Sequence, residues 1–499
     1  MELRVKDLAI ATGNPLIAII NYIDAQKLDL HHADRIRIKK GKKEIVAMID
    51  ITDSNEFVLP GEIGLFKEVY EKLRVDDYEI VTIKIEEKPK SLHYIKKKLK
   101  GKTLNEQEIR AIINDVIEDK LTEVELAFFV AGSYVHELNV NETVALTKAM
   151  LRTGQRLKLK NKIVLDKHCI GGVAGNRTTM IVVPIIAAAG LVIPKTSSRS
   201  ITSAAGTADT VEVLCDVSFS LDKMKNIVEK TGGCFVWGGA VNLAPADDKI
   251  IKVEHPMSLD PVGGLISSIL AKKKSVSATH ILIDIPLGRG SKTESKKRAE
   301  MLKKKFEIIS KKLGMQAIVT ITDGSQPIGN GIGPALEARD VLWTLMGSDK
   351  GSNDLKEKSI ELAGLLFDLA GKTKKGNGKV LARKLLENGL AYEKFIEIIQ
   401  AQKAKVIFPE QIEVGSYTSI IKATKNGVIN HVSNKKINRI AKLAGAPHDL
   451  KSGLYLYVHN KDKIKKGQTL IKIYSSNKDR LKFARQFATQ FSPFEISTK

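Results

Sequence analysis

Between about residue 160 and residue 410 the sequence alternates short β-branched, apolar runs with longer stretches of helical periodicity. That alternation constrains the fold more than any other feature of the chain. The runs are Lys162-Ile-Val-Leu-Asp, Leu191-Val-Ile-Pro, Cys234-Phe-Val-Trp, Ile281-Leu-Ile-Asp-Ile and Ala317-Ile-Val-Thr-Ile. Between them lie helical candidates such as Leu221 to Lys230 and Thr293 to Leu313. A strand followed by a helix and another strand returns parallel to the first, so the pattern predicts an α/β layer on a largely parallel sheet.

The flanks read differently. At roughly 150 residues per domain, 499 residues make about three domains, and the patterning marks four blocks. Residues 1–88 mix short strands with small helices. Asp34-Arg-Ile-Arg-Ile-Lys alternates, turns at Gly41 and continues as Glu44-Ile-Val-Ala-Met-Ile-Asp, which predicts a hairpin in a β-rich, barrel-like domain. Leu65 to Lys72 is a short helix candidate, and Glu86-Glu-Lys-Pro-Lys is a polar linker. Residues 95–155 are helical in pattern. Asn105 with Glu108, and Thr122 with Glu125, have capping-box form, and Ile109, Ile112, Ile113, Val116 and Ile117 recur at helical spacing. From 415 to 499 short strands return around Gly427-Val-Ile, Leu454-Tyr-Leu-Tyr-Val and Thr469-Leu-Ile-Lys-Ile, predicting a small α+β domain.

The balance of 43% hydrophobic and 27% charged residues excludes a wholly disordered chain. The longest apolar run, Met180 to Pro194, is broken by Pro184 and Gly190, so no membrane span is expected. Lys and Arg number 80 against 57 Asp and Glu, a net charge of +23. This invites a nucleic-acid reading. However, the lysines are dispersed in short runs and aromatics are only 5%, leaving few stacking platforms for bases. Attraction of small anionic substrates is the simpler use of such a field. The three cysteines, Cys169, Cys215 and Cys234, fit neither a zinc site nor a disulfide framework, which together with a charged N-terminus points to the reducing cytoplasm.

Three segments carry chemistry. Asp166-Lys-His-Cys-Ile-Gly-Gly-Val-Ala-Gly-Asn-Arg-Thr-Thr follows a strand and precedes a helix. Its glycines bring backbone N–H groups close to an anion, the helix N-terminus adds positive partial charge, Lys167 adds a full charge, and Thr178 or Thr179 adds a hydroxyl. The glycine spacing matches neither a Walker A loop nor a dinucleotide fingerprint, and a tight turn with a helix cap is the plainer alternative. Lys195-Thr-Ser-Ser-Arg-Ser-Ile-Thr-Ser-Ala-Ala-Gly-Thr-Ala-Asp-Thr offers a dense hydrogen-bonding surface after the next strand, or simply a polar loop. Two such loops on one sheet favour a ligand, because open α/β sheets bind at the carboxyl ends of their strands. The third is Asp260 in His255-Pro-Met-Ser-Leu-Asp-Pro, which is either a helix cap or an acid. It is followed by Ser267-Ser-Ile-Leu-Ala-Lys-Lys, where Ser268 and Lys272 share a helix face.

Together these segments resemble the thymidine/pyrimidine-nucleoside phosphorylase family, and most closely its long members, the AMP phosphorylases. The motifs are Asp166 to Val173, Lys195 to Arg199 with Gly206 to Asp209, and Ser268 to Lys273. The N-terminal block is similar to one carried only by the long members. The resemblance implies a helical domain (95–155 plus 243–275) and an α/β phosphate-binding domain (156–242 plus 276–410) forming a cleft that closes by a hinge. An N-terminal β-rich domain and a C-terminal α+β domain (415–499) complete the chain. It implies phosphate binding by Lys167, Cys169 and Thr179. Substrate contacts would come from Gly172, Ser198, Arg199, Ser200, Ile201, Thr202, Ser203, Thr207, Ser268, Lys272 and Lys292, and Asp260 would be the proton donor to the leaving base. Cys169 stands where the family usually has Ser, and a thiol is the weaker donor. Val253 stands where short pyrimidine enzymes hold the base with Arg, and Ala204 replaces a Pro common in AMP phosphorylases.

The expected reaction is phosphorolysis of an N-glycosidic bond, giving free base and pentose 1-phosphate, or ribose 1,5-bisphosphate from AMP. Phosphate is the co-substrate, and no metal or organic cofactor, nucleic acid or membrane is involved. A homo-oligomer is expected. Thymidine phosphorolysis is the first alternative. A phosphoribosyltransferase of the anthranilate type would need an acidic metal-binding pair near the second loop, where only Asp209 stands. A basic nucleic-acid binder is the non-enzymatic alternative.

Overall fold

A computed structural model describes residues 1–13, 15–200, 203–257 and 259–497. The chain divides into two compact units: Met1–Thr153 with Pro245–Leu265, and Gly154–Ala244 with Ile266–Lys499.

In the first unit six strands close a barrel: β1 Glu2–Asp7, β2 Ile17–Asn21, β3 Arg35–Lys40, β4 Lys43–Thr52, β5 Glu62–Leu65 and β6 Ile80–Ile85, in the order β1-β5-β2-β4-β3-β6. Alternate residues face inward, so Leu3 and Val5, Ala18 and Ile20, Ile36 and Ile38, Ala47 and Ile49, and Val81 and Ile83 are all buried. The expected hairpin is β3 with β4, closed by Gly41 and Lys42 with Gly41 at φ +56°. The short helix lies at Lys67–Leu73; Leu65 ends β5 instead. The helices Glu106–Ile117 and Glu123–Val135 both begin with complete capping boxes, Asn105 with Glu108 and Thr122 with Glu125. Their apolar faces bury Ile109, Ile112, Ile113, Leu126 and Phe129.

The second unit is built on parallel strands: β7 Leu165–Cys169, β8 Ile193–Ser197, β9 Gly233–Trp237, β10 His280–Leu287 and β11 Gln316–Asp323. β10 pairs in parallel with both β7 and β11, and β8 pairs in parallel with β9. A bridge between Val164 and Val192 joins the two groups. The spatial order is therefore β9-β8-β7-β10-β11. The chain moves outward from β7 in one direction through β8 and β9, then in the other through β10 and β11. Right-handed crossovers put the two sets of helices on opposite faces and leave a crevice at the carboxyl ends of β7 and β10.

One expected boundary shifts. The first strand begins at Leu165 rather than Lys162 and runs to Cys169, because its partner β10 fixes the register from His280 opposite Leu165 to Asp284 opposite Cys169. Lys167 and His168 are thus ladder residues, not loop residues. The helix Thr178–Ala188 that follows continues through Pro184, and its residues Thr178 to Ala187 are all buried. A helix apolar on every side belongs in the middle of a core. Among the described residues no helix is long and apolar enough to cross a membrane.

The expected helical segment 243–275 is also divided. The first unit ends at Leu265, within the helix Val262–Ser275. The rest of that helix is anchored in the second unit: Lys273 binds Asp166 on β7, and Ser275 Oγ donates to Leu243 O at 3.2 Å. After residue 415 the chain forms two small antiparallel sheets, one of them joined at its edge by Gly331–Ile332, with the helices Asn434–Ala444 and Lys478–Gln490.

Candidate active site

The residues at the carboxyl ends of β7, β8 and β10 converge on the crevice. Lys167 is only 1% exposed. Its Nζ donates to Thr178 Oγ1 at 2.7 Å and Thr179 Oγ1 at 3.4 Å, at the first turn of Thr178–Ala188, and lies 4.0 Å from Asp284 on β10. The ammonium therefore stands where that helix presents its free N–H groups, and full charge, hydroxyls and helix dipole act together. Burial disfavours the charged amine and lowers its pKa; an arriving dianion would reverse that penalty.

The glycines have distinct uses. Gly171 and Gly172 hold φ of +99° and +92°, open to glycine and strained for other residues. A Cβ on Gly172 would sit 2.3 Å from the backbone N of Lys292 and 2.7 Å from the carbonyl carbon of Ser291. The loop after β7 thus packs backbone to backbone against the loop after β10, which brings the exposed Lys292 beside the cradle.

Cys169 ends β7. Asn176 Nδ2 donates to its Sγ at 3.4 Å, and burial with the Asp284 charge pushes the thiol up to about 11. It is a neutral donor, not a thiolate nucleophile. His168 is held well below its ordinary pKa by burial and by the positive charges of Lys273, Lys195, Lys167 and Lys272. The imidazole is neutral at pH 7.

Ser198 is exposed just beyond β8, and Thr207 opens the helix Thr207–Glu212. The hydroxyl of Ser200 donates to the carbonyl of Ser203, and Ser203 Oγ donates to Ala205 O at 2.8 Å. Arg199 is held by its own surroundings. Its guanidinium forks onto Glu212 at 2.6 and 2.8 Å, reaches Asp209 at 3.1 Å and stacks 4.9 Å from the Trp237 ring centroid. Ile201 and Thr202 lie outside the described residues. Ser268 and Lys272 are half-buried on Val262–Ser275, four residues apart. Asp260 is half-buried, two residues before that helix, and belongs to the other compact unit. Val253 lies on the helix Pro245–Glu254.

Several residues beneath the site, Asp166 and Arg177 of the first motif among them, had no role assigned from the sequence. Asp166, fully buried, takes Lys273 Nζ at 2.9 Å and lies 3.8 Å from Lys195 Nζ. Asp284, also fully buried, takes Thr322 Oγ1 at 2.5 Å and lies 3.4 Å from Lys358 Nζ. Burial pushes its carboxyl up, but Lys358, Lys167 and Thr322 outweigh that and hold it below its ordinary value. Arg177 joins both loops, reaching the carbonyl of Ala205 and the carboxylate of Glu337. A charge inside an apolar strand is itself a signal, and Asp284 in Ile281-Leu-Ile-Asp-Ile carried it. Lys358 lies in the amphipathic helix Asn353–Leu369 and carried none, whereas Glu337 lies in Pro334–Leu345, which is buried along most of its length.

The family comparisons span the second unit and part of the first. Residues 92–154 match the glycosyl transferase family helical bundle domain, 161–392 the glycosyl transferase family a/b domain, and 428–492 the pyrimidine nucleoside phosphorylase C-terminal domain. An AMP phosphorylase of Pyrococcus furiosus is 46% identical over 497 residues, covering 99% of this chain and 98% of that protein. One of Methanocaldococcus jannaschii is 44% identical over 494 residues, covering 99% and 97%. Among solved structures, anthranilate phosphoribosyltransferase from Thermus thermophilus superimposes with a TM-score of 0.53 at 19% identity, covering 62% of this chain and 99% of that one. That likeness is one of fold.

Proposed function

The chain belongs to the thymidine/pyrimidine-nucleoside phosphorylase family, among its long members, and from that premise we propose that it is a phosphorolytic pentosyltransferase acting on AMP. Inorganic phosphate attacks C1′ of the ribose, the bond to the base breaks, and the products are free adenine and ribose 1,5-bisphosphate. The observation that carries the reading is the buried Lys167 ammonium at the first turn of Thr178–Ala188, beside two glycines at the switch point of a parallel sheet.

In this reading Lys167, Thr179, Cys169 and the Gly171–Gly172 backbone hold phosphate. Fixing the anion beside the sugar replaces a bimolecular encounter with a positioned one. The phosphate that Lys167 fixes there faces the positive charge that develops on the sugar in the oxocarbenium-like transition state. Ser198 to Ser203, Thr207, Ser268, Lys272 and Lys292 contact the nucleotide. Asp260 gives a proton to the ring nitrogen of the departing purine, so the base leaves neutral. A neutral His168 beside the lysines adds no charge that would compete with them for phosphate.

Thymidine as substrate is the weaker reading, because the relatives matched along the whole chain are named for AMP, and Val253 offers a pyrimidine no charged donor. The phosphoribosyltransferase alternative loses its one acidic candidate: Asp209 accepts from the backbone N–H groups of Gly206 and Ser200, both at 2.8 Å, and serves the loop. We extend the proposal to a cytoplasmic homo-oligomer that works without metal or organic cofactor, and without nucleic acid or membrane. The test is release of free base from AMP, CMP, UMP, thymidine and uridine, with and without phosphate and with a chelator. Phosphate-dependent release fastest from AMP is expected. Faster release from thymidine, or release independent of phosphate, would overturn it.

A further inference from the structure

The loops that form the site are held in place by a helix far along the sequence, Asn434–Ala444, which none of the site motifs contains. Asn434 is fully buried, and both ends of its amide are used. Its Oδ1 accepts from the backbone N–H of Ala174 at 3.0 Å, in the loop after β7. Its Nδ2 donates to the carbonyl of Gly324 at 3.1 Å, in the loop after β11. A Cβ on Gly290, in the loop after β10, would stand 3.6 Å from the Cβ of Asn434, ordinary van der Waals contact. One turn on, Asn438 Oδ1 accepts from the backbone N–H of Ala204 at 2.9 Å, in the loop after β8. Residues four apart share a helix face, so one face is hydrogen-bonded to three of these strand-end loops and lies beside the fourth.

We propose that Asn434 and Asn438 are positioning residues for the two substrates: Asn434 for phosphate, Asn438 for the nucleotide. This rests on the phosphorylase reading above. Ala174 lies between Gly172 and Gly175, so the amide that Asn434 holds belongs to the anion cradle itself. The same loop is tied from a second side, where Ile328 N donates to Ala174 O at 3.0 Å, and a Cβ on Gly175 would meet Ile328 O at 2.2 Å. Ala204 follows Ser203 and precedes the carbonyl of Ala205 that Arg177 holds, so Asn438 fixes the end of the nucleotide loop. A buried N–H that loses its acceptor must find another, and these loops can do so only by moving. The C-terminal segment is therefore part of the active-site framework.

The two asparagines serve different loops, so the test is a crossed pattern in full-length protein. Asn434→Ala is expected to raise KM for phosphate about tenfold and to leave KM for AMP within about twofold. Asn438→Ala is expected to raise KM for AMP by a similar factor and leave KM for phosphate unchanged. General loosening would lower kcat and shift both KM values alike in both variants. Unchanged KM values in folded variants, or matched shifts in both, overturn the proposal. If Asn434→Ala does not fold, Asn438→Ala, at a half-exposed side chain, decides alone. If wild-type protein releases no base, the phosphorylase reading fails. Calorimetric titration of inorganic phosphate into wild type and the Asn434 variant then still reads the clamp, with equal affinities refuting it.

Discussion

Replacing Lys167 with Met separates stability from function, and the structure sets both magnitudes. In the folded protein the Lys167 ammonium is almost wholly out of water, held by two hydroxyls and facing Asp284 at 4.0 Å. Burial disfavours its charge, so part of the folding free energy is spent keeping it ionised. Met fills similar volume without that cost. Asp284 keeps Lys358 at 3.4 Å and the Thr322 hydroxyl at 2.5 Å, so it is not left as a bare charge. The stability change should therefore stay within about 1 kcal/mol of zero. Phosphate binding behaves otherwise. A hydrogen bond to a charged group contributes about 1.5–3 kcal/mol, which converts to roughly 10- to 100-fold in affinity. Steady-state kinetics should show KM for phosphate raised by that factor, with KM for AMP little changed and the melting temperature within a few degrees of wild type. An unchanged KM for phosphate in a folded variant would refute the cradle. Collapse of the fold would refute the argument that the buried charge is held at a cost.

Asp260→Asn should lower kcat by roughly 10²- to 10⁴-fold with modest KM changes; wild-type turnover would remove the acid assignment. Cys169→Ser puts a stronger donor where a neutral thiol now stands, and should lower KM for phosphate by about two- to fivefold; a rise would show that the thiol does not face the anion. Gly172→Ala places a methyl 2.3 Å from the backbone N of Lys292 at a φ of +92°, so the loop must move; a loss of about 1–3 kcal/mol of stability with at least tenfold lower kcat/KM is expected, and a silent substitution would contradict the packing. Burial pushes the Asp340 carboxyl up to about 7, against the amide donors of Asn330 and Gly331. Between its ordinary value of 3.8 and about 7 the folded chain binds a proton there that the unfolded chain lacks, so this contribution is full at low pH and is lost as pH rises through 7. Asp340→Asn should flatten that part of the melting-temperature profile, and a parallel profile from pH 5 to 8 would rule the shift out.

What the sequence determined by itself was local. Capping at Asn105 and Thr122 and the turn at Gly41 act within a few residues and formed where their residues stand, and the strand–helix alternation followed in the same order. The phosphate motif was legible for the same reason: glycines, lysine and hydroxyls adjacent in sequence stay adjacent in a loop. Tertiary structure decided what depends on strand order. Pairing with β10 moved the first strand three residues along and turned Lys167 inward. It also set Asp284 opposite Cys169 and brought Lys358, Glu337 and Asn434 beneath the site from 70 or more positions away in sequence. Arg199, expected from its motif at the substrate, is also paired with Glu212 and stacked on Trp237, which its spacing did not show. Spacing along a chain fixes which groups share a turn or a face. Which distant groups meet, and which charges are thereby neutralised, is fixed only when the sheet chooses its order.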